Sequence, residues 1–269
     1  MWNGNFFKTK NVSAVLLASA FALLNTVPVM AVQQANGETV LQPSFEFVGR
    51  AYEPDTGLLL YTEKHSIQLN EAGQYQAAKV VYRDSQGELF AEKTLDYDGW
   101  PTMPTTYFNE IDSPFYFKVK STNESTNDGK TRGDLTLEYQ DEKEDFKEQV
   151  PVEKPKYAVV DAGFDRLVSG NWQSLISGDA LTFSFLAVTR SAFYQFRLVP
   201  IEQSDSDKLV LRLEPDNAIF RWLLDPAYLT YSVKNKKLIR FEGLTNIRKR
   251  INGQPQDENY VAVIEYDYL

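Results

Sequence analysis

His65 is the single histidine among the 269 residues, and the chain has no cysteine. Thiol nucleophiles, cysteine metal sites and multi-histidine zinc sites are therefore excluded, and any Ser-His-Asp arrangement has to use His65. Its neighbours alternate. Leu59, Tyr61, Glu63, His65, Ile67 and Leu69 fall on one face of an extended segment, with Thr62, Lys64, Ser66 and Gln68 on the other. Glu63 and His65 thus point the same way as the apolar residues. Over 88–98 the apolar face is Leu89, Ala91, Lys93, Leu95 and Tyr97, which turns Lys93 toward the same interior. A buried charge is costly unless paired, so these three side chains imply a partner or a use. One reading is a polar patch in a concave apolar site, with the imidazole of His65, a side-chain type that changes charge near neutral pH, moving a proton or holding an anionic headgroup. The other is structural: a buried Glu63–Lys93 pair with His65 hydrogen-bonded beside it.

A second set is cationic. Arg190, Arg197, Arg212 and Arg221 lie on or beside apolar segments, and a guanidinium suits bidentate capture of carboxylate or phosphate. Arg190 and Arg197 are the ligand-binding candidates of this set, for an anionic lipid or a small metabolite. The competing reading pairs outward arginines with some of the 37 acids. No phosphate loop, nucleotide fingerprint, nucleophile elbow or calcium loop occurs, so no cofactor and no metal is expected. Carboxylates are too numerous for their spacing to identify a glycosidase pair.

These residues have to be positioned by a chain that is 43% hydrophobic and 24% charged, an ordinary globular composition. Residues 1–31 read as a secretory signal: Lys8 and Lys10, an apolar run from Val12 to Leu24, and a small-residue exit at Val29-Met30-Ala31. Loss of those two lysines would leave 26 basic residues against 37 acidic ones, a formal charge of −11, which argues against nucleic acid as a partner. The expected location is exported, in the periplasm, with association to the outer membrane open.

From Ser44 to Tyr139 the period is near two, punctuated by turns ending in Gly57, Gly73 and Gly87, as in antiparallel hairpins. The spacing predicts strands near 58–69, 75–83 and 88–98, and later near 180–187, 192–200, 208–213, 219–225, 228–233, 237–242 and 259–268. Ser121–Gly133 reads as a hairpin tip. The charged stretch 141–156, with Pro151 and Pro155, reads as a hinge between two halves of one mainly-β domain, 32–269. One amphipathic helix is predicted from Phe164, Leu167, Val168, Trp172, Leu175 and Ile176, with Asp161 as its cap and Gly178 as its stop. The fold class that follows is mainly β: a curved antiparallel sheet, half-barrel or open barrel, packed on one amphipathic helix.

Several segments resemble an uncharacterised family of exported bacterial proteins. They are Gly163-Phe164-Asp165 with Trp172 and Leu175, Phe183-Ser184-Phe185, Arg190, Phe196-Arg197, Leu224-Asp225-Pro226, Leu229-Thr230-Tyr231 and Arg240-Phe241-Glu242-Gly243-Leu244 with Asn246. Tyr61-Thr62-Glu63-Lys64-His65, Tyr82 and Ala91-Glu92-Lys93 are similar to its amino-terminal half. The resemblance implies export and shared architecture, and no activity. A looser likeness is to periplasmic lipoprotein-carrier half-barrels, which use several helices where this sequence predicts one.

Four functions compete. The first is a non-enzymatic envelope protein binding a lipid or other amphipathic small molecule on the concave face of the sheet. The second is an outer-membrane barrel, suggested by the alternation of Tyr260, Ala262, Ile264, Tyr266 and Tyr268. The third is a hydrolase using Glu63 and His65, and the fourth an interaction module with an envelope protein partner.

Overall fold

The computed structural model describes residues 29–35, 38–125, 131–153, 155–201 and 207–268. The expected leader, as far as residue 28, lies outside the described residues. The strands of the first half are β1 (Val29–Ala35), β2 (Glu38–Tyr52), β3 (Leu59–Leu69), β4 (Tyr75–Asp84), β5 (Leu89–Asp96), β6 (Thr105–Glu110), β7 (Tyr116–Ser125), β8 (Thr131–Gln140) and β9 (Asp145–Val152). The second half holds β10 (Ala158–Val159), helices α1 (Gly163–Gly170) and α2 (Trp172–Ile176), β11 (Leu181–Ala187), β12 (Ala192–Ile201), β13 (Lys208–Pro215), α3 (Ala218–Leu223), β14 (Ala227–Ser232), β15 (Leu238–Ile251) and β16 (Gln254–Tyr268). With 62% strand and, among the described residues, one helix of seven or more residues, the mainly-β class holds.

The strands form one sheet, in the order β10-β11-β12-β13-β14-β15-β16-β2-β3-β4-β5-β6-β7-β8-β9, with β1 paired to β2. Two meanders are joined where the last strand lies antiparallel to β2, from Val263 opposite Tyr52 to Tyr268 opposite Phe47. The sheet curls until it nearly closes. Its free edges, β9 and β10, are neighbours in sequence, and a 3-10 turn at Pro155–Tyr157 packs against β8 and β11. Among the described strands the one parallel pairing is β10 with β11. Parallel neighbours need a crossover, and here α1 and α2 supply it.

That crossover runs through the concave side. Phe164 packs on Phe183 of β11 with ring centroids 5.6 Å apart, Trp172 meets Tyr231 of β14 at 6.0 Å, and the Arg166 guanidinium lies 5.5 Å from the Tyr75 ring of β4. Phe164, Leu167, Val168, Trp172 and Leu175 are all buried there. The space enclosed by the sheet is filled by its own crossover.

Four local expectations are corrected. The helix is interrupted at Asn171, directly after Gly170, a residue that weakens a helix interior. Asp161 does not cap it: Ala162 holds the N-cap position without a side-chain cap, and Asp161 sits in the left-handed region at φ 44°. Residues 218–223 form α3 and not a strand, because Asn217 starts a turn there, its side-chain oxygen accepting from the Ile219 N–H at 2.8 Å. Strand pairing continues into the expected hairpin tip, with β7 running to Ser125 and β8 starting at Thr131. Gly178 ends α2 at φ 95° as its spacing implies. The stretch expected as a hinge holds the β8–β9 turn and β9 itself, an edge strand that accommodates Pro151 and the charged Lys147 and Glu148.

Candidate functional site

Two regions combine aromatic rings with charge. The first is sealed. Glu63, His65 and Lys93 each have 0% exposure, and all three face the concave side as the alternation of β3 and β5 requires. Their pairing differs from the Glu63–Lys93 contact read from sequence. Lys93 donates to both carboxylate oxygens of Asp161 at 2.9 Å, and the Asn246 amide approaches the same carboxylate at 3.4 Å. The left-handed backbone of Asp161, at the mouth of α1, delivers that carboxylate to β5, where it outcompetes Glu63. Glu63 instead has His65 Nε2 at 3.2 Å, and His65 stacks on Phe47 at 4.2 Å with the rings 11° apart.

Glycine makes room for this cluster. Gly49 lies between Glu63 of β3 and Tyr266 of β16, and a Cβ there would meet Glu63 and Tyr266 side-chain atoms at 2.7–2.8 Å. Tyrosines surround the buried acids. Burial, and then the charge of Glu63, push the hydroxyls of Tyr82 and Tyr266 well above the ordinary phenol range. Burial and the Asp165 carboxylate do the same to Tyr75, Tyr97 and Tyr231.

The second region is open. A cavity of about 520 Å³ lies between β7, β8 and the β8–β9 turn on one side, β15 and β16 on another, and the 3-10 turn Val188–Arg190 on a third. Phe115, Phe117 and Tyr139 form an aromatic wall, with Tyr139 edge-on to Phe115 at 5.7 Å and stacked on Phe146 at 4.9 Å. The Tyr139 hydroxyl donates to Asp141 at 2.8 Å; burial and this acceptor raise its pKa beyond the phenol range. Asp141 also accepts the N–H groups of Lys143 at 2.7 Å and Glu144 at 2.8 Å. Partial burial works to raise its pKa, but these donors and the nearby Lys143 charge win and hold it below the usual carboxylate value.

Most charges around this cavity are already matched. Arg248 lies 4.8 Å from the Phe115 ring and donates to Glu110 at 3.0 Å and to Ser113 at 2.7 Å. Burial pulls its pKa down, but Glu110 more than offsets this and leaves it raised. Lys143 pairs with Asp257 at 2.7 Å between the two rims. Three polar groups besides the exposed Glu144 carboxylate are not matched. Thr189 Oγ1 and Asn246 Oδ1 are buried without a hydrogen-bond partner, and Arg190 has no ion pair among the described residues. Backbone irregularity places all three. Ser191 takes φ 46° directly after the 3-10 turn, and β15 shifts register between Leu244 and Arg248.

Of the residues singled out from sequence, the structure therefore puts Arg190 at the cavity. It puts Glu63, His65 and Lys93 in the sealed cluster. Arg197 lies elsewhere, donating to Glu214 at 2.7 Å, with Arg212 on the same carboxylate at 2.9 Å. Arg221 donates to the Asp216 carbonyl at 2.9 Å. Thr189, Arg248 and the aromatic wall escaped the sequence reading, and Asn246 entered it only through the resemblance. An asparagine inside a strand pattern, where the type is depleted, was the available signal.

The convex face is charged. Cross-strand ion pairs run over it, Lys64–Glu46 at 2.9 Å, Lys79–Glu92 at 2.9 Å, Lys147–Glu138 at 2.6 Å and Arg240–Glu265 at 3.3 Å. Among the described residues no helix is long and apolar enough to cross a membrane.

No protein-family model and no curated protein matches the sequence. Among solved structures the fold is similar to a porin-like protein from Bacteroides uniformis, at 12% identity over 84% of this chain and 98% of that one, with a TM-score of 0.25. A likeness that low carries no argument, and the nearly closed sheet stands on the strand order alone.

Proposed function

We propose that the chain is an exported, water-facing barrel that binds a small amphipathic molecule in the cavity at the mouth of its sheet, without catalysing a reaction on it. The observation that carries this reading is the pair of buried, unpartnered oxygens of Thr189 and Asn246 beside an aromatic wall and the unpaired Arg190. A buried polar atom without a partner costs about 1–3 kcal/mol, which a ligand that supplies the partner returns. The volume falls in the range of small-molecule sites, roughly 300–1,000 Å³.

The site is thereby moved from the middle of the concave face, where the crossover helices occupy the space, to its rim. Glu63 and His65 do not line the cavity, so a hydrolase built on them has no substrate-reached acid–base pair there. An outer-membrane barrel shares the curled sheet, but lipid-facing strands carry apolar residues outward, and here Lys64, Lys79, Arg240 and Glu265 lie on the convex face. Carbonate washing of membranes separates the two: the water-facing barrel is released and an integral barrel stays in the pellet.

The binding reading is tested by native mass spectrometry of the protein released gently from its own cell envelope. The expected result is an added mass that disappears on unfolding and is absent from Thr189→Trp, whose indole fills the cavity. A bare mass in the unaltered protein, with no ligand-dependent rise in Tm, overturns it.

A further inference from the structure

Resting on that reading, we infer that the ligand of the mouth cavity is a short acidic saccharide, a sugar chain of one or two rings bearing a carboxylate. The residue types of the lining favour a polar occupant over an acyl chain. Nine of its thirteen residues are polar, and Val188 is the one aliphatic side chain. Phe117 and Tyr139 are 5% exposed, and Tyr139 stacks on Phe146, so of the three rings it is the half-buried Phe115 that offers the cavity electron-rich faces instead. Such faces attract the weakly positive C–H groups that line one side of a pyranose.

The unmatched polar groups specify the remainder. Asn246 Oδ1 is an acceptor and needs an O–H or N–H from the ligand, while Thr189 Oγ1 can give or take a proton. A polyol satisfies both at once. Among the lining cations, Lys143 is paired with Asp257 and Arg248 with Glu110, which leaves the Arg190 guanidinium for a planar anion. Carboxylate matches its fork of N–H donors. On the acidic side, Asp141 is engaged by two backbone N–H groups and the Tyr139 hydroxyl, and Glu144 stands exposed at the rim, where water solvates it.

Calorimetric titration of the full chain with digalacturonate, its dimethyl ester, cellobiose and laurate tests the assignment. The expected order is binding of the diacid, with the ester and cellobiose at least tenfold weaker and laurate without heat. Arg190→Gln should bring the diacid down to the affinity of the ester while leaving the ester unchanged. Arg190→Lys, which keeps the charge and loses the fork, should fall between. Asn246→Ala should weaken diacid and ester alike. Circular dichroism and Tm, unchanged in the Arg190 variants because the residue is exposed, confirm that each has folded. Equal affinity for acid and ester, an undiminished affinity in Arg190→Gln, or preference for laurate overturns the saccharide acid. If no saccharide binds while the native protein still carries an added mass, the ligand class is wrong and the mouth cavity stands; a bare mass removes both.

Discussion

The sealed cluster and the mouth cavity are made of the same materials, charged side chains set among aromatic rings, and they differ in whether anything outside the protein can reach them. Inside, Lys93 has Asp161 on both oxygens and Glu63 has His65 at 3.2 Å, with tyrosines closing around them. At the mouth, Arg248 and Lys143 are matched but Thr189, Asn246 and Arg190 are not. Burial of charge is therefore the weaker pointer to function here. Access, and not completeness, separates the two: the Tyr61, Tyr82 and Tyr266 hydroxyls are also buried without a hydrogen-bond partner, but only the mouth is open to something that could supply one.

The largest way to break this comparison is Lys93→Ala. It strands the Asp161 carboxylate in a dry interior, and the expected cost is about 3–5 kcal/mol in urea denaturation. Pairing Lys93→Met with Asp161→Asn should recover much of that loss, since both charges then leave together. Arg190→Gln, one rim away, should change stability by no more than about 0.5 kcal/mol. If the two single variants were to cost the same, the division into a sealed and an open region would be lost. Next in size are the close approaches. A Cβ on Gly163 would stand 2.0 Å from the Thr102 carbonyl oxygen, a backbone atom, and Gly163→Ala should cost about 3 kcal/mol. Gly49→Ala presses on the Glu63 and Tyr266 side chains, which can shift, and should cost about 1–2 kcal/mol by the same measurement.

How much of this was legible in the residues divides along the same line. Period-two alternation in β3 and β5 placed Glu63, His65 and Lys93 inward because regular strands carry that information. It did not reveal that Asp161 would claim Lys93, since that contact joins positions 68 residues apart through a left-handed residue. The cavity was nearly invisible for a related reason. Thr189 and Arg190 are aimed by a 3-10 turn and a left-handed serine, and Asn246 by a register shift in β15, and at such places periodicity says nothing about direction. Trp222 and Ile219 illustrate the opposite error. Their apolar character suggested a strand over 219–225, whereas they are exposed on α3, at 87% and 71%.

Smaller effects sharpen the boundary of the open region. Asp141→Ala removes the acceptor of two backbone N–H groups and of Tyr139, and should cost about 1–2 kcal/mol. Its folded pKa is depressed. The stability it contributes is therefore complete above the unfolded value near 3.8 and is lost as pH falls through the lower folded value. Urea midpoints of the native chain and Asp141→Ala should accordingly differ at pH 6 and converge in strong acid. A difference that persists there would mean that the side chain's packing, and not its charge, holds the turn.

The smallest expected effect is also the one that speaks to access. Lys143 and Asp257 are both exposed, and their 2.7 Å contact links the β8–β9 turn to β16 at the cavity. Exposed pairs of this kind are weak and are screened by salt, so Lys143→Met should barely move the urea midpoint at low ionic strength and leave it unchanged at high salt. Because the pair joins two walls of the cavity without adding to the fold, its loss should show instead in kinetics. In stopped-flow mixing with digalacturonate, Lys143→Met should speed both association and release while leaving Kd within about twofold, the behaviour of a strap removed from an otherwise intact site. A change confined to release, with Kd weakened in proportion, would make Lys143 a ligand contact, and the open region would then gain a second cation beside Arg190.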